Sequence, residues 1–115
     1  MDEPTDITIT TEQRGDARVV FPVGDIDLSR SPVLRQAMKA ELESKPKKLV
    51  IELSGVEYMD SSGVATLVEA MQHSRKAGSA LVLCSLTDRV RSIFEIARLE
   101  QVFVITLDLE AALSA

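Results

Sequence analysis

Apolar and polar residues alternate over residues 7–11, Ile-Thr-Ile-Thr-Thr, which predicts a strand with one face in water. Residues 13–16 supply a turn and residues 18–23 a second strand, so the pair reads as a hairpin. Pro22 brings no N–H to a ladder, which places it at a sheet edge or a strand end. Ser31-Pro32 then reads as an N-cap followed by proline at the first helical position. Leu34, Ala37, Met38 and Leu42 follow at helical spacing, predicting a helix over residues 32–44. Lys47 and Lys48 lead into a strand over residues 49–53. A second helix over residues 61–77 carries an inward stripe of Val64, Leu67, Val68 and Met71, and Gly78 closes it as a left-handed cap. The unbroken apolar run at residues 80–84 fits a strand covered on both faces. Thr87 caps a third helix with the stripe Val90, Ile93, Phe94 and Ala97. Residues 102–107 form the last strand, and Asp108 starts a short terminal helix.

The order β-β-α-β-α-β-α-β-α predicts an α/β fold: a mixed β-sheet flanked by helices, antiparallel in the hairpin and parallel elsewhere through right-handed crossovers. The 115 residues form one domain, with a core from about residue 7 to 113. Hydrophobic residues at 45% exclude a disordered chain. Aromatics at 3% and the absence of Trp mean an aliphatic core and no base-stacking surface. A net charge of −5 argues against nucleic acid and favours a partner with a basic or mixed surface. Cys84, the one cysteine, lies in an apolar run and reads as a buried structural thiol. The acidic start Met1-Asp2-Glu3-Pro4 is unlike a signal peptide, and no apolar run approaches the roughly 18 residues of a membrane span. The expectation is a cytoplasmic protein without membrane insertion.

In such sheets chemistry sits where loops leave the carboxyl ends of strands, here residues 24–31 and 54–63. Gly24-Asp25-Ile26-Asp27 has the Asp-x-Asp spacing of an aspartate-nucleophile phosphatase, but no further carboxylate pair follows to hold Mg²⁺. Asp25 and Asp27 are left as solvated or capping residues, or as part of a binding loop. Tyr58-Met59-Asp60-Ser61-Ser62-Gly63 stands between a strand and a helix. The Gly-x-Ser-x-Gly elbow of a hydrolase is absent, and His73 lies about three turns down the helix, too far to serve either serine as base. No metal-ligand spacing or glycine-rich phosphate loop is present, so no catalytic residue is assigned. Asp60 and Ser61 suit a helix cap. A single cap, however, needs neither the adjacent Ser62 nor Gly63, whose helix propensity is low. Small residues there leave the helix start bare to a partner. A hydroxyl at that place suits phosphorylation, since free N–H groups and the helix dipole can hold the phosphate, which adds about −1.5 to −2 charges.

Gly24-Asp25-Ile26-Asp27 and Tyr58-Met59-Asp60-Ser61-Ser62-Gly63-Val64, with this element order, resemble the STAS domain family, in its single-domain anti-sigma factor antagonist type. Pro22 stands where that family leads one to expect a larger aliphatic residue. The resemblance implies a binding switch and not an enzyme. The antagonist sequesters an anti-sigma factor that is also a serine kinase, freeing a sigma factor, and phosphorylation of Ser61 releases it. A serine phosphatase resets the switch. The domain itself needs no cofactor, because ATP is used by the partner kinase. Asp25, Asp27, Asp60, Ser61, Ser62 and Gly63 are the implied partner-binding residues. STAS domains also serve as subunits of stress-signalling assemblies or lipid-transport ATPase complexes without phosphorylation, which is the alternative reading.

Overall fold

The computed structural model describes residues 7–115, so the acidic start at residues 1–4 lies outside the described residues. The elements follow the expected order: β1 (Thr8–Arg14), β2 (Ala17–Val23), α1 (Ser31–Glu43), β3 (Lys48–Glu52), α2 (Ser61–Ala77), β4 (Ala80–Cys84), α3 (Asp88–Ile96), β5 (Val104–Thr106) and α4 (Leu109–Ser114). They build a five-stranded sheet in the order β1-β2-β3-β4-β5, with β1–β2 antiparallel and the other pairs parallel. Arg14 pairs with Ala17, so the hairpin loop is only Gly15-Asp16, tighter than the turn expected over residues 13–16. Gly15, at φ +60°, gives a two-residue loop the twist its strands need. Pro22 is tolerated in an interior strand because pairing with β3 has ended by then, at Val20 opposite Ile51.

Alternation along the strands divides the core in two. Val20, Leu49, Ile51, Leu81 and Leu83 face the layer made by Leu34, Met38 and Leu42 of α1, Leu67 and Met71 of α2, and Val90 and Phe94 of α3. Val19, Val50, Val82 and Cys84 face Ala112 of α4, with Leu109 and Leu113 beside it. β4 is thus covered on both faces. Lys48 anchors α4 by donating from Nζ to the carbonyls of Ala112 (2.9 Å) and Leu113 (3.0 Å), an arrangement that satisfies carbonyls at a helix end.

Four local expectations are corrected. Ser31 is not the N-cap of α1: Arg30 holds that position without a side-chain bond, and Ser31 is already helical, its N–H donating to the Asp27 carbonyl at 2.8 Å. The stripe of α2 is rotated. Gly63, Thr66, Leu67, Ala70, Met71 and Ser74 are buried, while Val64 and Val68 are half-buried at its margin. Ala97 is exposed as the C-cap of α3, because the chain turns there, with Arg98 at φ +60° and the Leu99 N–H donating to the Phe94 carbonyl. Finally, β5 is three residues long. The N–H groups of Val102 and Phe103 both donate to the Leu99 carbonyl, turning Phe103 into the core edge-on to Phe94, with ring centroids 5.5 Å apart.

Candidate functional site

β2 and β3 are parallel, so their following loops leave the sheet at the same end and stay joined. The Gly24 N–H donates to the Gly55 carbonyl (3.0 Å), the Ile26 N–H to the Tyr58 carbonyl (3.0 Å), and the Asp60 N–H to the Ile26 carbonyl (3.1 Å). Ile26 and Met59 form an isolated parallel bridge with both side chains buried. A Cβ on Gly63 would stand 2.5 Å from Met59 Cγ and 2.8 Å from Ile26 Cγ2, so only glycine lets α2 begin on top of this bridge. Gly63 is buried there, which corrects the expectation that it bares the helix start to a partner. It shapes the surface from beneath.

Asp60 is the N-cap of α2. Its Oδ1 accepts from the N–H groups of Ser62 (2.9 Å) and Gly63 (3.3 Å) and from the Ser62 hydroxyl (2.6 Å). The Ser62 hydroxyl is the chief cause that holds the Asp60 carboxyl below its ordinary pKa. Partial burial opposes it, and the N–H groups of Gly63, Ser62 and Leu28 assist. A second correction follows. Two of the N–H groups expected to be free for a phosphate are occupied by Asp60.

Asp27 organises the other loop. Its Oδ1 accepts from the N–H (3.1 Å) and hydroxyl (3.0 Å) of Ser29 and from the N–H of Arg30 (3.1 Å), while Oδ2 is paired with the Arg30 guanidinium. Desolvation alone would raise the Asp27 pKa. The Ser29 hydroxyl, the N–H groups of Arg30 and Ser29 and the Arg30 charge together outweigh it and leave the carboxyl lowered. Asp27 thus serves as the start signal of α1. Sequence reading missed Arg30, although the Asp27-x-x-Arg30 spacing carried the signal. Asp25 is exposed, on the outer side of the same loop.

Ser61 is the exposed first residue of α2, and among the described residues its hydroxyl takes part in no hydrogen bond. Ser62 is half-buried and its hydroxyl is tied to Asp60. The structure therefore separates the two serines, one presented and one engaged. The two loops joined at the Ile26–Met59 bridge also expose two apolar side chains to which sequence reading gave no role, Leu28 at 76% exposure and Tyr58 at 41%.

His73 is exposed on α2, roughly 18 Å along the helix axis from Ser61 at 1.5 Å per residue. It lines a shallow groove of about 190 Å³ between α1 and α2, with Arg35, Lys39 and Glu69 among its walls and none of the candidate residues. Burial pushes the Cys84 thiol up to about 11, so it stays protonated and unreactive. Among the described residues no group of three or more His, Cys, Asp or Glu side chains could hold a metal ion, and no helix is long and apolar enough to cross a membrane.

The STAS domain family model matches residues 8–112. The chain belongs to the STAS domain family. This STAS domain is 33% identical over 100 residues to an anti-sigma-B factor antagonist of Listeria monocytogenes, covering 86% of this chain and 88% of the relative. It is 31% identical over 100 residues to the anti-sigma-B factor antagonist of Bacillus subtilis, covering 87% and 91%. Among solved structures, it superimposes with a TM-score of 0.85 and 29% identity on an anti-sigma factor antagonist from Mycobacterium paratuberculosis, covering 99% of this chain and 97% of the other.

Proposed function

We propose that this STAS domain is an anti-sigma factor antagonist. It binds an anti-sigma factor that is also a serine kinase, so that a sigma factor is freed, and it is switched off at Ser61. The reading is supported by relatives that bear the antagonist name and by one observation above the rest. Ser61 presents an unengaged hydroxyl at the mouth of α2, while the neighbouring Ser62 hydroxyl is held by Asp60. Asp25, Asp60, Ser61 and the rim of Ser62 form the contact surface. Asp27 and Gly63 act through position, the first by fixing the Asp27–Arg30 turn and the second by seating the helix on Ile26 and Met59.

In the switching step the Ser61 oxygen attacks the γ-phosphorus of ATP held by the kinase, the hydroxyl proton leaves, and ADP departs. A serine phosphatase reverses the state with water, restoring the hydroxyl and releasing inorganic phosphate. The domain contributes a hydroxyl and a surface, needs no cofactor of its own, and performs no turnover. The test is affinity for the purified anti-sigma factor of the same organism. Wild type and Ser61→Ala bind, and Ser61→Asp binds at least tenfold more weakly. Equal binding by all three would favour a STAS subunit that phosphorylation does not control.

A further inference from the structure

We infer that Leu28 and Tyr58 form an apolar seat for the partner beside Ser61, and that phosphorylation breaks the complex chiefly because the phosphate must be stripped of water there. The inference rests on the antagonist reading and adds to it which side chains anchor the partner and by which force the switch acts. Leu28 is 76% exposed in a loop where Asp25, Asp27, Ser29 and Arg30 are polar and Ile26, the other large apolar residue, is buried. Leu28 lies two residues beyond Ile26, whose carbonyl accepts from the Asp60 N–H at 3.1 Å, and this bond keeps it close to the start of α2. Tyr58, 41% exposed, precedes Met59 in the other loop and is held by the bond from the Ile26 N–H to its carbonyl. The acids Asp25 and Glu57 stand exposed at the margin without an ion-pair partner among the described residues. An apolar centre with an acidic rim is complementary to an apolar cleft bordered by lysine or arginine, and that is the partner surface assigned here.

Such a partner is not repelled by added negative charge at long range, because its border is basic. The phosphate acts at short range. The N–H groups of Ser62 and Gly63 already serve Asp60, so they do not take over from water around a phosphate on Ser61. Docking would then bury an under-solvated dianion against Leu28, Tyr58 and an apolar cleft, which is strongly unfavourable.

The experiment measures affinity for the purified anti-sigma factor of the same organism, with and without phosphate on Ser61, between about 0.1 and 1 M salt. Over that range the screening length falls from about 10 to 3 Å. Leu28→Ala should weaken binding about ten- to a hundredfold, the equivalent of exposing a buried leucine. Ile96→Ala, an 83% exposed residue at the far end of α3, should change affinity less than twofold. The affinity ratio between unmodified and phosphorylated forms should stay constant within about threefold across the salt range. Wild-type binding with an unaffected Leu28→Ala overturns the apolar seat, a phosphate effect that disappears at high salt overturns the stripping of water as the force, and either result leaves the antagonist reading standing. Failure of the wild type to bind at all removes both.

Discussion

Gly63 shows how one missing methyl group fixes the site. Alanine normally favours a helix over glycine by about 1 kcal/mol. At this position its Cβ would press into Met59 Cγ and Ile26 Cγ2, two buried side chains that hold the loops together. Overpacking of this kind typically costs about 1–3 kcal/mol. Gly63→Ala is therefore predicted to lower the melting temperature by several degrees, and an unchanged or raised value would contradict the packing described. The Asp60 carboxyl, lowered chiefly by the Ser62 hydroxyl, makes a second prediction through pH. Its folded pKa lies below the unfolded one, so its stabilising contribution is complete above the ordinary value of 3.8 and disappears as pH falls through the lowered folded value. The stability difference between wild type and Asp60→Asn, followed by urea denaturation, should be flat above about pH 5 and shrink below pH 4. The capping role of Asp60 was legible in the sequence. The occupation of its N–H groups, and with it the exposure of any phosphate to water, was not, since it depends on which rotamer the carboxylate adopts.

At the scale of elements, α2 carries both the core and the switch. Leu67 is fully buried between the sheet and α1, whereas Gln72 is exposed. Leu67→Ala should lose about 2–5 kcal/mol in chemical denaturation, and Gln72→Ala less than about 0.5 kcal/mol. Equal small losses would contradict the facing of the helix. Periodicity found that Leu67 and Met71 point inward but set the stripe toward Val64 and Val68. The true centre includes Thr66 and Ser74, whose hydroxyls donate to the carbonyls of Ser62 (2.9 Å) and Met71 (2.8 Å). A hydroxyl satisfied on its own helix presents a small, apolar exterior to its neighbours, and no hydropathy pattern registers that. The shortening of β5 has a comparable cause. Val102 and Phe103 read as strand, but only the three-dimensional position of Phe94 draws Phe103 out of it.

For the whole molecule, the element sequence was sufficient to specify a mixed sheet with helices on both faces, because each parallel pair of strands requires a crossover. The meeting of the two loops follows from the same topology, since β2 and β3 leave the sheet side by side. Of the proposed contact surface, Asp25, Asp60, Ser61 and Ser62 could be named from the sequence, whereas Leu28 and Tyr58 carry no chemistry that marks them there. The switch is expected to work on that surface without refolding the domain, because Ser61 is exposed and stands outside the buried core. Ser61→Asp should accordingly keep the wild-type circular dichroism spectrum and melt within about 2 °C of it, as surface substitutions usually do. The most direct test of the account is to incubate the domain with its cognate anti-sigma factor kinase and ATP and to locate the phosphate by mass spectrometry. Phosphate on Ser61, with Ser62 unmodified, is the result predicted from a free hydroxyl beside an engaged one. Phosphate on Ser62 alone would contradict it.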